Sequence, residues 1–141
     1  MKRKILLNPG PATTTDSVKN AQIVPDICPR EKEFGDLMHY MREDLTKIAT
    51  KDFNEYTCVL LGGSVTAGVE SCLSSAVNPE KKLLIVNNGA YGKRMVEIAQ
   101  TYEIDFVELK CEWDRIPNLD LIKETIEKEN IGTIAVVHHE T

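Results

Sequence analysis

The stretch Leu83-Leu84-Ile85-Val86-Asn87-Asn88-Gly89-Ala90-Tyr91-Gly92 decides the fold class. A run of aliphatic residues, then an Asn-Gly turn, then Gly92–Tyr102 with Met95, Ile98, Ala99 and Tyr102 on one face reads as a buried strand feeding a helix. The same texture recurs on both sides. Thr57–Leu61, Phe106–Leu109 and Thr133–His138 are expected as further strands, and Thr66–Val77 and Asn118–Glu129 as further helices. Asn118 suits an N-cap and Gly132 a helix stop. Apolar strands alternating with helices predict an α/β class: a mostly parallel sheet with helices on both faces.

Toward the N-terminus, Pro9, Gly10, Pro11, Pro25 and Pro29, with Thr13-Thr14-Thr15 between them, predict an extended arm over residues 1–30. From Glu31 to Thr50, Phe34, Leu37, Met38, Met41, Leu45 and Ile48 fall on one helical stripe. The body of the chain is therefore expected at 31–141. A total of 141 residues fits one domain.

Net charge −5, without a Lys/Arg cluster longer than Lys2-Arg3-Lys4, argues against nucleic acid and anionic membrane as partners. The aliphatic runs are far short of the ~20 residues of a membrane span, and no signal-peptide apolar region follows Lys4. Cys28, Cys58, Cys72 and Cys111 have neither zinc-site nor disulfide-scaffold spacing and read as reduced thiols of a cytoplasmic protein.

In a parallel sheet, ligands bind beyond the carboxyl ends of the strands. The turn Gly62-Gly63-Ser64-Val65-Thr66-Ala67-Gly68 offers N–H groups and hydroxyls at a helix start, which suit a phosphate group, although Ser64 and Thr66 also suit plain helix capping. It is neither a P-loop nor a dinucleotide fingerprint. Tyr91, between two glycines at a helix start, offers a ring on which a flat ligand can stack, or a packing residue. Alternation along a strand would put His138 and Glu140 on one face and His139 on the other, so no metal site is expected. No Ser/His/Asp or Cys/His arrangement supports nucleophilic catalysis.

Taken together, Leu6-Leu7-Asn8-Pro9-Gly10-Pro11-Ala12, the segment Asp26–Phe34, the Gly62–Thr66 turn, Asn87–Met95 and the end His138-His139-Glu140-Thr141 resemble the class V aminotransferases. The most similar branch moves the amino group of 2-aminoethylphosphonate to pyruvate. The resemblance implies the fold-type I large domain and the cofactor pyridoxal 5'-phosphate (PLP). It carries the phosphate loop onto Ser64, Val65 and Thr66, the ring-stacking aromatic onto Tyr91 and a hydroxyl near the cofactor onto Thr141. Asn8, Pro9, Gly10 and Pro11 would lie at the mouth of the substrate site. Val65 stands where relatives carry glycine.

The resemblance also places the Schiff-base lysine, the aspartate that pairs with the pyridinium nitrogen and the substrate-binding arginine beyond Thr141. The expectation is thus a truncated large domain: no catalytic residue in this chain, no activity alone, and a homodimer or larger self-association through surfaces left open. The other reading from the residues is a non-catalytic α/β module that binds a phosphate- or phosphonate-bearing metabolite.

Overall fold

In the computed structural model, residues 4–8 and 10–140 are described. They form two compact units: residues up to Ala12 go with Gly63 onward, and Thr13–Gly62 stand as the other.

The larger unit is built on a parallel three-stranded sheet, order β2-β1-β3, of β1 (Lys82–Asn87), β2 (Phe106–Lys110) and β3 (Ile131–Val136). The aliphatic run takes the centre, and Leu83, Leu84, Ile85 and Val86 are at most 1% exposed. A strand buried on both faces has no polar side to alternate with, hence the unbroken apolar sequence. Helices α3 (Val65–Ala76) and α4 (Ala90–Thr101) cover one face, joining Leu73, Met95, Val96, Ile98 and Ala99 to Leu83 and Ile85 in one core. Helix α5 (Leu119–Lys128) packs on β3, and Ile134 and Val136 of that edge strand are exposed on alternate positions.

Local chemistry sets the ends. The Asn118 side chain accepts from the N–H groups of Asp120 and Leu121, so the expected N-cap is the observed one. Helix α4 closes with Ile104 N–H donating to the Ala99 carbonyl, which throws Glu103 to φ 53°. Lys82 at the start of β1 pairs with Glu129 beyond α5 at 2.6 Å, and this bond raises the Lys82 pKa.

The smaller unit holds α1 (Asp16–Asn20) and α2 (Lys32–Ala49). The sequence marks α2 closely, with Glu31 and Thr50 as its caps. The arm is not wholly extended: Thr15 accepts from Val18 N–H and starts α1, a local cap that the prolines on either side obscure.

Several expected boundaries are corrected. Thr57–Leu61 forms no strand. Its Cys58 carbonyl and Thr57 hydroxyl are taken by the Arg42 guanidinium at 2.9 and 2.8 Å, a side-chain anchor in place of a backbone ladder. Gly132 does not stop α5, which ends with Glu129 as C-cap; it lies in β3, where an added Cβ would come within 2.7 Å of the Lys81 side chain. β3 ends at Val136, so His138 and His139 lie in a bend beyond it, Glu140 follows, and the strand alternation expected of them does not exist.

Candidate functional site

Helices α3 and α4 both begin on the side of the larger unit where β3 ends, and a cavity of about 360 Å³ opens there. Val65 and Thr66 reach it from α3, Tyr91 and Arg94 from α4, His139 from the segment after β3, and Gly10 from the N-terminal residues. Its size lies in the range of small-molecule sites, about 300–1,000 Å³. A larger groove of about 520 Å³ in the smaller unit is lined by Arg42, whose guanidinium is already engaged, and by no residue that the sequence singles out.

At the head of α3, the Ser64 side chain accepts from Ala67 N–H at 3.2 Å and its carbonyl accepts from Gly68 N–H. Ser64 is thus a helix cap. That bond uses the oxygen as acceptor and leaves the hydroxyl proton as a donor. The N–H groups of Val65 and Thr66 have no partner inside the helix, as at any α-helix start. Val65 enters the helix with negative φ, since Glu103 is the only described non-glycine residue with positive φ. Its β-branch therefore meets no backbone conflict at this position.

Across the cavity, the Arg94 guanidinium donates to the Thr66 hydroxyl at 3.2 Å and lies 5.8 Å from the centre of the Tyr91 ring. Tyr91 is about two-fifths exposed, its ring facing space and not core. One cation thus links the first turn of α3 to the aromatic of α4. Helix α4 starts at Ala90, two residues before the expected Gly92, which puts Tyr91 and Arg94 at i and i+3 on one face. With the later start, the Tyr–Arg pairing is invisible in the sequence, and Arg94 escapes notice. A second tie joins the same helices lower down: Tyr102 donates to Glu70, and that bond raises the Tyr102 pKa.

The structure thus brings Val65, Thr66, Tyr91 and Gly10 to one cavity, with Ser64 as the cap beside it. Asn8 and Pro11 are exposed and are not part of the lining, and the Asn8 amide donates to the Gly10 carbonyl. Pro9 and Thr141 lie outside the described residues. Among the described residues, no group of three His, Cys, Asp or Glu side chains suits a metal ion, and no helix is long and apolar enough to cross a membrane.

Comparison with known proteins gives this arrangement its context. Over 139 residues, the chain is 44% identical to the 2-aminoethylphosphonate–pyruvate transaminase of Bacillus cytotoxicus, a match over 97% of this chain and 38% of that protein. The corresponding transaminase of Bacillus cereus is 41% identical over 138 residues, 97% of this chain and 40% of that protein. Nearly the whole chain is thus similar to part of an aminotransferase. The crystal structure of alanine–glyoxylate aminotransferase from Nostoc sp. superposes with a TM-score of 0.84 at 27% identity, covering 99% of this chain and 37% of that one. No protein-family model matches. The chain spans 38–40% of the length of these curated relatives. The α/β fold with its parallel sheet, expected from the apolar runs, is that of the aminotransferase structures.

Proposed function

We propose that the cavity between α3 and α4 holds the phosphate and ring of PLP, in a protein that moves the amino group of 2-aminoethylphosphonate to pyruvate. The observation that carries this reading is the convergence of a pair of N–H groups at a helix start, the Thr66 hydroxyl, the Arg94 guanidinium and the Tyr91 ring on one space. The transaminase relatives supply the choice of reaction and substrates.

The donor set fits such a group. N–H groups at the head of α3, the Ser64 and Thr66 hydroxyls and a guanidinium match a dianionic phosphate ester. The half-exposed Tyr91 ring offers one flat apolar wall. Bound PLP supplies an electron sink for amino-group chemistry. This chain's own residues anchor it by its charge, orient its ring and narrow the approach from the Gly10 side. By the resemblance, Thr141 adds a hydroxyl, and Asn8, Pro9, Gly10 and Pro11 border the substrate mouth.

Titration of the chain with PLP, followed by quenching of tyrosine fluorescence, tests the reading. Ser64→Ala with Thr66→Ala is expected to weaken binding by about 1.5–3 kcal/mol, the usual worth of hydrogen bonds to a charged group. Unchanged affinity in the double variant returns the turn to helix capping alone. Binding of inorganic phosphate and 2-aminoethylphosphonate but not PLP favours the non-catalytic module.

Self-association and a cytoplasmic setting complete the proposal. The first is supported by the exposed stripe Leu37, Met41, Leu45 and Ile48 on α2, and the second by four cysteines that are all free thiols. Sedimentation over a wide concentration range is expected to show a dimer or larger species. A cleanly monomeric, cooperatively folded chain would count against the first.

A further inference from the structure

Helix α4 has no cap of its own. Its N-cap position is Gly89, which has no side chain to accept from the first turn. The acceptor arrives from beyond β3: one Glu140 carboxylate oxygen accepts from Tyr91 N–H at 3.1 Å and the other from Gly92 N–H at 2.7 Å. These are the second and third helical positions, the N–H groups that an N-cap side chain normally serves. A negative charge there is also favoured by the helix dipole.

Space around this contact is tailored to it. A Cβ on Gly89 would lie 2.4 Å from Glu140 Cδ and 2.5 Å from its Oε2, although φ of 171° is extended backbone open to any residue. Glycine is needed here for room, not for conformation. The Asn88 amide donates to the Val137 carbonyl at 3.0 Å and closes the same junction between the ends of β1 and β3. Tyr91 is thereby held at its backbone by Glu140 and covered at its ring by Arg94.

We propose that Glu140 is a positioning residue: it caps α4 from across the sheet, fixes the Tyr91 ring against the cavity and, by neutralising the head of α4, leaves the head of α3 as the place for the ligand's anionic group. The part concerning the ligand rests on the PLP reading above. The cap itself does not.

The test uses the whole chain with Glu140→Ala, Glu140→Gln, Gly89→Ala and the double variant Glu140→Ala with Gly89→Ser. Amide hydrogen exchange reports the cap at Tyr91 and Gly92, with Ile98 and Ala99 as internal controls, and PLP titration reports the site. Glu140→Ala and Gly89→Ala, the latter by pushing the carboxylate aside, should each speed exchange at Tyr91 and Gly92 and raise the Kd for PLP about tenfold, as expected for losing charge-assisted hydrogen bonds. Glu140→Gln keeps one acceptor oxygen and should fall between, which preserves the comparison if the alanine variant loses protection at Ile98 and Ala99 as well. A serine hydroxyl at position 89, with the carboxylate gone, should cap the helix locally and recover both readouts. Wild-type exchange at Tyr91 and Gly92 in Glu140→Ala and Glu140→Gln overturns the cap. Faster exchange with unchanged PLP affinity overturns the positioning role. Failure of the wild-type chain to bind PLP sinks the cofactor reading and with it the ligand part of this proposal, while exchange still decides the cap.

Discussion

Of the 18 residues of α2 only Thr46 is buried, whereas α4, with 12, buries Gly92, Met95, Val96, Ile98 and Ala99. Both helices carry an apolar stripe at helical spacing. The α4 stripe lies on Leu83 and Ile85 of β1, while Leu37, Met41, Leu45 and Ile48 of α2 are 40–82% exposed. Periodicity declares that a helix has a face to bury; it does not say whether a partner is present. Even the buried Thr46 turns inward on its own helix, donating to the Arg42 carbonyl.

The largest effect that can break this contrast comes from core truncation. Ile85→Ala should cost about 2–5 kcal/mol, because it removes a fully buried side chain and leaves a cavity between β1 and α4. Leu45→Ala, on the α2 stripe, should stay within about 0.5 kcal/mol, as surface substitutions do. Urea unfolding of both variants below any self-association checks the difference. A Leu45→Ala cost as large as that of Ile85→Ala means that α2 is covered in solution, and α2 would then be the assembly surface.

What the sequence made legible divides along the same line. Features enforced by near neighbours were readable: the β1 run, the α2 ends at Glu31 and Thr50, and the Asn118 cap. Features made by distant partners were not. Thr57–Leu61 has the composition of a strand, but a strand exists only with a ladder, and Arg42 takes its polar groups instead. Helix α4 starts earlier than its local sequence indicates, because its cap, Glu140, lies 49 residues from Tyr91 in the chain. Of the site, the hydroxyl-rich turn and Tyr91 stood out by residue type, while Arg94 and His139 join them only through the fold.

A smaller effect sharpens the α4 side of the comparison. Glu103 holds a left-handed conformation where helix ends favour glycine, so Glu103→Gly should stabilise the larger unit by about 1 kcal/mol. The thermal midpoint should rise accordingly. No rise means that Glu103 makes up the conformational cost through its side chain.

The smallest expected effect separates two thiols of the larger unit. Cys72 is exposed on α3, whereas Cys111 follows β2, where its N–H donates to the Asn87 carbonyl at 2.9 Å and its thiol donates weakly to the Leu109 carbonyl. Burial pushes the Cys111 thiol pKa up, because desolvation disfavours the thiolate. The thiolate is the species that alkylates, so at about pH 8.5, where an ordinary thiol is half ionised, Cys111 should react more slowly with iodoacetamide than Cys72. As pH rises, its rate should keep climbing after an ordinary thiol has levelled off. Peptide mapping by mass spectrometry over a pH series measures both. If the Cys111 rate levels off at the ordinary thiol pKa, then poor access alone, and not a shifted pKa, makes it slow. If it matches Cys72 throughout, the end of β2 opens in solution, and the contrast between a well-covered sheet unit and an exposed helical one holds only for β1 and α4.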